Sequence, residues 1–535
     1  MQLEDFVPEL LARILQVLDH PRDLLSLIRA SPHCFRVYAE SPAIILSPIL
    51  KNAILPDALH HALACVHLPS ISSQTVPVAF LRDYFQYEPL AFPTDKTALT
   101  ALCGLCLRTS HFVDDFSSRA MRALNLNSDA GQATASALSS TERARFQRAF
   151  FRYELYCRVF PVDHHARSRS LVPADEQFTE FIARMAPWEV EEVSCVHHYF
   201  TVLIGRFLDD LEDQFVEAVR TAPGFRHPIL TDFLTDSPTP EPAKRRKIRR
   251  TTASGLKHDS FIPSSEPTQK DMDDRQSPAD NANVVFVSNF DLYGLDLFSS
   301  DGRFRSPKYV SYVASLGSTL MYRLALGDKG QRRRIIQENT PVWRDFLPEA
   351  LEHAPGTGPK TTMPDGIDDN HLSHPNLGYY RFKRSEEEIY FGILNASILS
   401  RPLRERAFVF WDADRILCPV VSDQLQKARR MDPERVHLQF DRYEGKSAEE
   451  RLKGVRIPRV QMDRIVEEFG SLFESWRSIH HQLQAKMKRT GSGGTTRFAL
   501  ISKKPQQGLL YKPAQLQFDE TLNGHRAVAH KWIGI

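Results

Sequence analysis

Apolar residues recur at intervals of three and four along much of the chain, which is the spacing of one face of an α-helix. The longest such stripe begins at Val193 and ends at Val219, and Pro187 lies shortly before it as a helix-start signal. Sustained alternation with a period of two is rare, and no short-period repeat is visible. The pattern therefore predicts a mainly α fold.

Two further stripes lie in the second half of the chain. One runs from Met462 to Met487 and stops at a glycine-rich TGSGG stretch, where leaving a helix is favourable. The other follows Ser385, which can cap a helix together with Glu388 three positions later. Both predict amphipathic helices.

Three short amphipathic segments occupy the first forty residues. Pro8 suits the opening turn of the first segment, and His20-Pro21 opens the second. Ser31 can cap the third, with Pro32 as its first helical residue. A three-helix unit of this size buries too little surface to be secure alone. The physical pattern by itself favours packing of the unit on the helices that follow it.

The segment 236–283 has a different composition from the rest of the chain. It is rich in Pro, Ser, Thr and charged residues and poor in aliphatic residues, so it cannot offset the cost of ordering its backbone, roughly 1–2 kcal/mol per residue. We therefore expect a disordered linker there. The predicted domains are an N-terminal module 1–40, a helical domain 41–235, this linker, and a mainly helical domain 284–535.

Composition places the chain among ordinary intracellular globular proteins. The 68 basic residues nearly cancel the 66 acidic ones, so no field of the whole molecule favours a nucleic acid or a membrane, and we expect no nucleic-acid partner. Seven scattered cysteines in 535 residues give no disulfide framework. No window approaches the roughly 18 apolar residues of a membrane span, and the start MQLEDF lacks the basic residues of a secretory signal. We expect no membrane association.

Several small groups of residues have the types found in metal or catalytic sites. Each falls short: the single CxxC pair has no matching second pair, GTGPK at 356–360 lacks the spacing of a phosphate-binding loop, and no hydrolase, zincin or kinase motif occurs. We therefore predict no cofactor, no metal and no enzymatic activity. The groups considered are Cys103 with Cys106, His61 with Cys65, and Cys195 with His197 or His198.

A basic run, KRRKIRR, lies inside the predicted linker. It carries six basic residues in seven, as nuclear localisation signals and nucleic-acid-binding patches do, although a merely solvated charge run is the alternative. We expect an import receptor as a partner and a protein distributed between nucleus and cytoplasm. The residues concerned are Lys244, Arg245, Arg246, Lys247, Arg249 and Arg250.

The order of residues in the N-terminal module resembles the F-box motif. The matching run has an apolar residue before Pro-Glu-Leu-Leu, then Ile-Leu, an Asp/Pro-containing turn, and Leu. The wider opening of the chain also looks like that of a group of uncharacterised filamentous-fungal F-box-like proteins. The resemblance implies docking on the Skp-type adaptor of a cullin-RING ubiquitin ligase, and it implies that the rest of the chain captures a protein substrate. The implied adaptor-binding residues are Pro8, Leu10, Leu11, Ile14, Leu15, Leu18, Leu24, Leu27, Ile28 and Phe35.

Two functions remain open from the sequence. The first is an F-box-like adaptor that links an unknown substrate to the ligase. The second is a noncatalytic helical scaffold or interaction protein that has an F-box-like fold without ligase membership. An enzyme is not supported by any motif.

Overall fold

A computed structural model describes the chain over eleven stretches. These are residues 6–68, 77–124, 137–161, 172–225, 284–286, 307–339, 346–351, 353, 374–382, 400–431 and 448–470. Within them the chain is mainly helical, which confirms the predicted fold class, and strand structure is confined to two three-residue segments.

The elements follow one another as a series of short and long helices. Residues 400–405 are also helical, and a 3₁₀ turn spans Ile182–Arg184. In chain order the elements are α1 (Pro8–Gln16), α2 (Pro21–Ala30), α3 (Pro32–Glu40), α4 (Pro42–Ala53), α5 (Pro56–His67), α6 (Val78–Phe85), α7 (Lys96–Ala123), α8 (Ser140–Val159), α9 (Ala174–Glu180), α10 (Pro187–Arg220), β1 (Val284–Phe286), α11 (Pro307–Ala314), α12 (Gly317–Leu326), α13 (Lys329–Glu338), α14 (Leu347–Leu351), α15 (Leu377–Phe382), α16 (Ala413–Leu417), α17 (Pro419–Arg429), α18 (Ala448–Arg451), β2 (Arg456–Pro458) and α19 (Arg459–Gly470).

The sequence predictions for individual helices are confirmed where the structure describes the residues. The three N-terminal segments form α1, α2 and α3, and the long stripe forms α10 with Pro187 as its first residue. Of the stripe from Met462 to Met487, the part up to Gly470 lies in α19, and the rest is outside the described residues. The helix predicted after Ser385 and the linker 236–283 also lie outside the described residues.

The chain divides into two compact units. Unit 1 contains residues 1–210, 303–444 and 478–535, and unit 2 contains residues 211–302 and 445–477. These units do not follow the sequential domains expected from the sequence, because each takes residues from both sides of the segment 236–283. The physical reason in unit 1 is that buried charges on α8 and α10 find their partners more than 200 residues later in the chain.

The core of unit 1 forms around α8, which packs against α5 and α7. Large aromatic side chains fill it, and several of their rings lie edge to face or stacked at centroid distances of 4.1–6.5 Å. Such pairs stabilise a core beyond the area they bury. The fully buried members of this core include Phe112, Phe146, Phe151, Tyr153, Tyr156, Phe200 and Trp411.

The N-terminal module is continuous with this core. Helix α1 packs on α4, and α2 packs on α3, α4 and α7. The predicted packing of α1–α3 on the following helices is therefore what the structure shows. No separate core is needed to explain how three short helices are held in place.

Unit 2 is small and is built around the last turns of α10. Strands β1 and β2 pair antiparallel, with Val285 opposite Ile457. Phe215 lies edge to face with Phe469 at 5.6 Å. Gly224 has a φ of +79°, and a Cβ there would meet the Pro458 ring, so this turn favours glycine.

No helix within the described residues is both long enough and apolar enough to cross a membrane.

Candidate docking surface on the N-terminal helices

Helix α1 has two apolar faces, and only one of them belongs to the core. Leu11 and Leu15 have 0% of their surface exposed. In contrast, Val7, Leu10 and Val17 are 60%, 44% and 72% exposed. Because a helix turns once every 3.6 residues, buried and exposed apolar positions can alternate along a single nine-residue segment.

The exposed face follows helical spacing. Val7, Leu10, Ile14 and Val17 are separated by three, four and three residues, which places them along one side of α1. Ile14 in the middle of this row is partly exposed. We call these four residues the α1 stripe. Exposed Glu9 and Arg13 flank it, so the surface has the form of an apolar centre with a charged border.

The predicted adaptor-binding residues divide into three groups by burial. Pro8 and Leu10 are exposed and can be touched directly by a partner. Ile14, Leu18, Leu27 and Phe35 are partly exposed. Leu11, Leu15, Leu24 and Ile28 are buried in unit 1, so their place is in the core beneath the surface.

Hydrogen bonds fix the helix ends that frame the α1 stripe. The Nδ1 atom of His20 accepts from the Arg22 amide at 3.0 Å and caps α2. The ring therefore carries its proton on Nε2, which donates to the Ser110 hydroxyl on α7 at 2.9 Å. Burial lowers the pKa of His20 below its ordinary value and keeps the ring neutral.

Two other contacts hold the backbone before and after α1. His33 Nε2 donates to the Phe6 carbonyl at 3.2 Å, and Asn52 Nδ2 donates to the Leu18 carbonyl at 3.4 Å. The side chain of Ser31 accepts from the Cys34 amide and caps α3, as the sequence predicts. The surface is therefore built on helices whose ends are fixed before any partner binds.

Two members of the α1 stripe escaped the sequence reasoning. Val7 and Val17 lie just outside the ends of α1; Val7 entered the motif only as the apolar residue before Pro8, and Val17 does not belong to the motif. The available signal was the spacing of Val7, Leu10, Ile14 and Val17, which can be seen in the sequence once the helix bounds are known.

The cysteine pair of the CxxC motif is part of the core of α7. Burial raises the pKa of both Cys103 and Cys106 to about 12, so both are neutral thiols at ordinary pH. Metal binding and nucleophilic attack both require the thiolate. This agrees with the interpretation of the pair as structural.

The other two groups are also engaged in core contacts. Cys65 donates to the Phe151 carbonyl, and burial raises its pKa to about 12. His61 Nδ1 lies 2.8 Å from the Tyr84 hydroxyl. Burial lowers the pKa of His197 to about 3, and its Nδ1 lies 3.2 Å from the Tyr153 hydroxyl.

Among the residues that the structure describes, no group of three or more His, Cys, Asp and Glu side chains is placed to hold a metal ion. The GTGPK stretch at 356–360 and the basic run at 244–250 lie outside the described residues.

Comparison of the chain with protein-family models, with curated proteins and with solved structures found no match. The resemblance to the F-box motif therefore depends on the residues from about Leu3 to Tyr38 alone.

Proposed function

We propose that the protein is a noncatalytic, F-box-like adaptor whose N-terminal helices dock on the Skp-type adaptor of a cullin-RING ubiquitin ligase. The observation that carries the proposal is the α1 stripe, an exposed apolar row within the segment whose residue order resembles the F-box motif. In this role the remainder of the chain would capture a protein substrate.

The energetics of the α1 stripe are suited to binding another protein. Fully covering a Val, Leu or Ile side chain contributes about 1.5–3 kcal/mol. Four neighbouring side chains, already partly shielded, could together contribute several kcal/mol, which is a substantial part of a micromolar affinity of about 8 kcal/mol. The fixed helix ends add to this, because a preorganised surface loses little conformational entropy on binding.

The buried residues of the motif have a different role in this proposal. Leu11, Leu15, Leu24 and Ile28 would not touch the adaptor but would hold α1 and α2 in the orientation that presents the α1 stripe. A change at Leu11 would therefore act through the core, whereas a change at Leu10 would act on the surface.

The test is co-purification of the full chain with a Skp-type adaptor. The variant Leu10→Asp with Val17→Asp places two charges in the α1 stripe and should abolish binding with circular dichroism unchanged. The matched control is Val460→Asp, a residue of unit 2 that is 76% exposed and should not affect binding. Retention of the adaptor by the α1 variant would contradict the proposed surface.

The alternative function is a helical scaffold or interaction protein without ligase membership. The placement of Leu11, Leu15, Leu24 and Ile28 in the core favours it, since the motif residues can be explained by packing alone. If the wild-type chain does not retain the Skp-type adaptor at all, this alternative replaces the first proposal.

We also propose that the basic run at 244–250 directs part of the protein to the nucleus through an import receptor, leaving another part in the cytoplasm. A row of Lys and Arg side chains suits an acidic and aromatic receptor groove. At 61.1 kDa the chain should enter the nucleus slowly by diffusion. Changing Lys244, Arg245, Arg246 and Lys247 to alanine should therefore move a fluorescent fusion to the cytoplasm, and an unchanged distribution would contradict the proposal.

A further inference from the structure

Helix α8 carries charged side chains in the middle of the core. Glu142 is 1% exposed and Arg145 is 2% exposed, and three further charged residues of the same helix are buried. Charged side chains are almost never fully buried unless they are paired. The segments that carry the countercharges must therefore pack against α8 for the helix to be stable in the core. The other three are Arg148, Arg152 and Glu154.

Some of these charges are paired within the helices that precede residue 226. Arg148 pairs with Glu192 on α10, and Arg152 Nη2 pairs with Glu189 at 2.6 Å. These pairs would survive if the chain ended after α10.

Others form ion pairs with residues that follow the segment 236–283. Arg145 Nη1 lies 2.6 Å from Asp412 Oδ1. Arg415 donates to both carboxylate oxygens of Glu142, from Nε and Nη2, each at 2.8 Å. The Ser139 hydroxyl at the start of α8 also donates to the Asp412 carboxylate. We call residues 400–417 the clasp.

The clasp makes a second buried contact on α10. Arg404 donates to the two oxygens of Glu191 at 2.7 and 2.8 Å, and both side chains are largely buried. This two-point pairing is the strong form of an arginine–carboxylate contact. Glu191 accepts in addition from the Cys195 thiol at 3.9 Å.

Apolar contacts lie between these ion pairs. The rings of Phe146 on α8 and Phe410 in the clasp are stacked at 4.1 Å, and Trp411 is fully buried. Asn376 Nδ2 donates to the carbonyls of Val409 and Trp411, which holds the clasp backbone in place. The clasp is therefore attached by charge pairing, ring stacking and backbone hydrogen bonds together.

Helix α12, which also follows the segment 236–283 in the sequence, makes a further contact with α8. The carboxylate of Glu154 accepts from the Ser318 amide at 2.7 Å and so caps the start of α12. Gly317 has a φ of +83°, and a Cβ there would lie 3.1 Å from the Glu154 carboxylate. The close approach depends on a glycine at this position.

We infer that the clasp is an obligatory internal partner of α8 and α10, so that the two parts of the chain remain bound to each other when the covalent connection between them is cut. Without the clasp, Glu142, Arg145 and Glu191 would each lose a buried ion pair, and breaking a buried ion pair is strongly destabilising. The stretch 41–235 is then not an independent domain, although its composition and length suggest one. This inference does not depend on the ligase proposal.

The test uses the full chain with residues 251–257 replaced by the recognition sequence of a site-specific protease. After complete cleavage, the two fragments should co-elute at the size of the uncut monomer with unchanged circular dichroism, and they should separate in denaturant. Separate elution under native conditions, or elution as a large aggregate, would overturn the inference.

A charge cycle tests whether the clasp carries the association, because Phe215 and Phe469 of unit 2 also lie on opposite sides of the cut. Glu191→Gln leaves Arg404 buried without a countercharge and should weaken the affinity of the cut fragments at least tenfold. The double variant Glu191→Gln with Arg404→Gln should recover part of this loss. Lys427→Ala removes an exposed ion pair and should change nothing.

An unchanged affinity in Glu191→Gln would overturn the assignment of the association to the clasp. If that variant does not fold, Asp412→Asn serves in its place, since its side chain is partly exposed and the change keeps its shape. The cut fragments of Asp412→Asn should bind each other more weakly than those of the wild type. Equal affinity of the two pairs of fragments would contradict the inference.

Discussion

Helices α1 and α8 depart from the usual distribution of polarity in opposite directions. Helix α1 leaves apolar residues exposed on one face, with Val17 72% exposed at its end. Helix α8 is buried on nearly all sides, and its buried residues include the charged Glu142 and Arg145. Each departure has a cost if the helix is considered alone, because water should cover charge and the core should cover apolar surface.

The difference shows where each helix finds its complement. The buried charges of α8 are matched inside unit 1, by α10 and by the clasp. The exposed apolar row of α1 remains open to solvent in the described structure, and a partner molecule could cover it. Countercharges within the same chain stabilise the fold. An exposed apolar row indicates a surface that can bind another molecule.

The largest expected effect on stability comes from breaking a buried ion pair of α8. Arg415→Leu leaves the Glu142 carboxylate buried without its bidentate partner, and we expect the free energy of unfolding to fall by about 3–5 kcal/mol. Urea denaturation followed by circular dichroism measures the loss. The matched control Lys427→Ala breaks an ion pair that is well exposed, so its effect should stay below about 1 kcal/mol. Equal small losses in both variants would show that the buried pair is not needed.

An intermediate effect separates the two faces of α1. Leu11→Ala removes a side chain that is fully buried, so we expect a loss of about 2–5 kcal/mol in the free energy of unfolding. Leu10→Ala shortens a side chain on the exposed face, and its loss should be about 0.5 kcal/mol or less. Thermal unfolding of the two variants side by side checks the difference. A Leu10→Ala loss as large as that of Leu11→Ala would mean that the α1 stripe is part of the core.

The smallest expected effect is the change in the free energy of unfolding per pH unit. Burial lowers the pKa of His197 to about 3, with further lowering from His198 and Arg404, and burial together with Arg152 and Arg148 lowers the pKa of His61. The unfolded chain binds protons with a pKa near 6.5, so it takes up protons first as the pH falls. The stability contributed by the neutral rings is complete above pH 6.5 and is lost as the pH falls from 6.5 toward 3. Each fully buried histidine then costs up to about 1.4 kcal/mol per pH unit.

Urea midpoints at pH 7.5 and pH 5.5 measure this dependence. His197→Gln should flatten the slope, whereas Val460→Ala, which changes an exposed residue that does not titrate, should leave it as it is. An equal slope in wild type and His197→Gln would show that His197 is already protonated in the folded protein or does not remain buried.

Local features of the fold could be predicted from the sequence because their causes are local. Pro8, Pro21 and Pro32 begin α1, α2 and α3 because a proline at the first helical position loses no hydrogen bond. The hydroxyl oxygen of Ser31 caps α3 because it accepts a hydrogen bond from the Cys34 amide three residues later. The period of the apolar residues fixed the long helix α10 for the same reason.

The candidate surface could be predicted only in part. The motif directs attention to the first forty residues, but two interleaved apolar rows in α1 give the same helical signal, and the sequence does not say which row is covered. Packing of α1 on α4 decides that Leu11 and Leu15 face inward and that Leu10 does not.

The sequence by itself determined the helical class, the starts of the N-terminal helices and the long helix α10, since each follows from residues within a few positions of one another. The tertiary structure decided which residues form one unit and which charges may be buried. Arg145 and Asp412 are 267 residues apart, and nothing local marks them as partners. Their pairing is stable because the core buries Arg145 and most of the Asp412 side chain, and that burial exists only after the distant segments have come together.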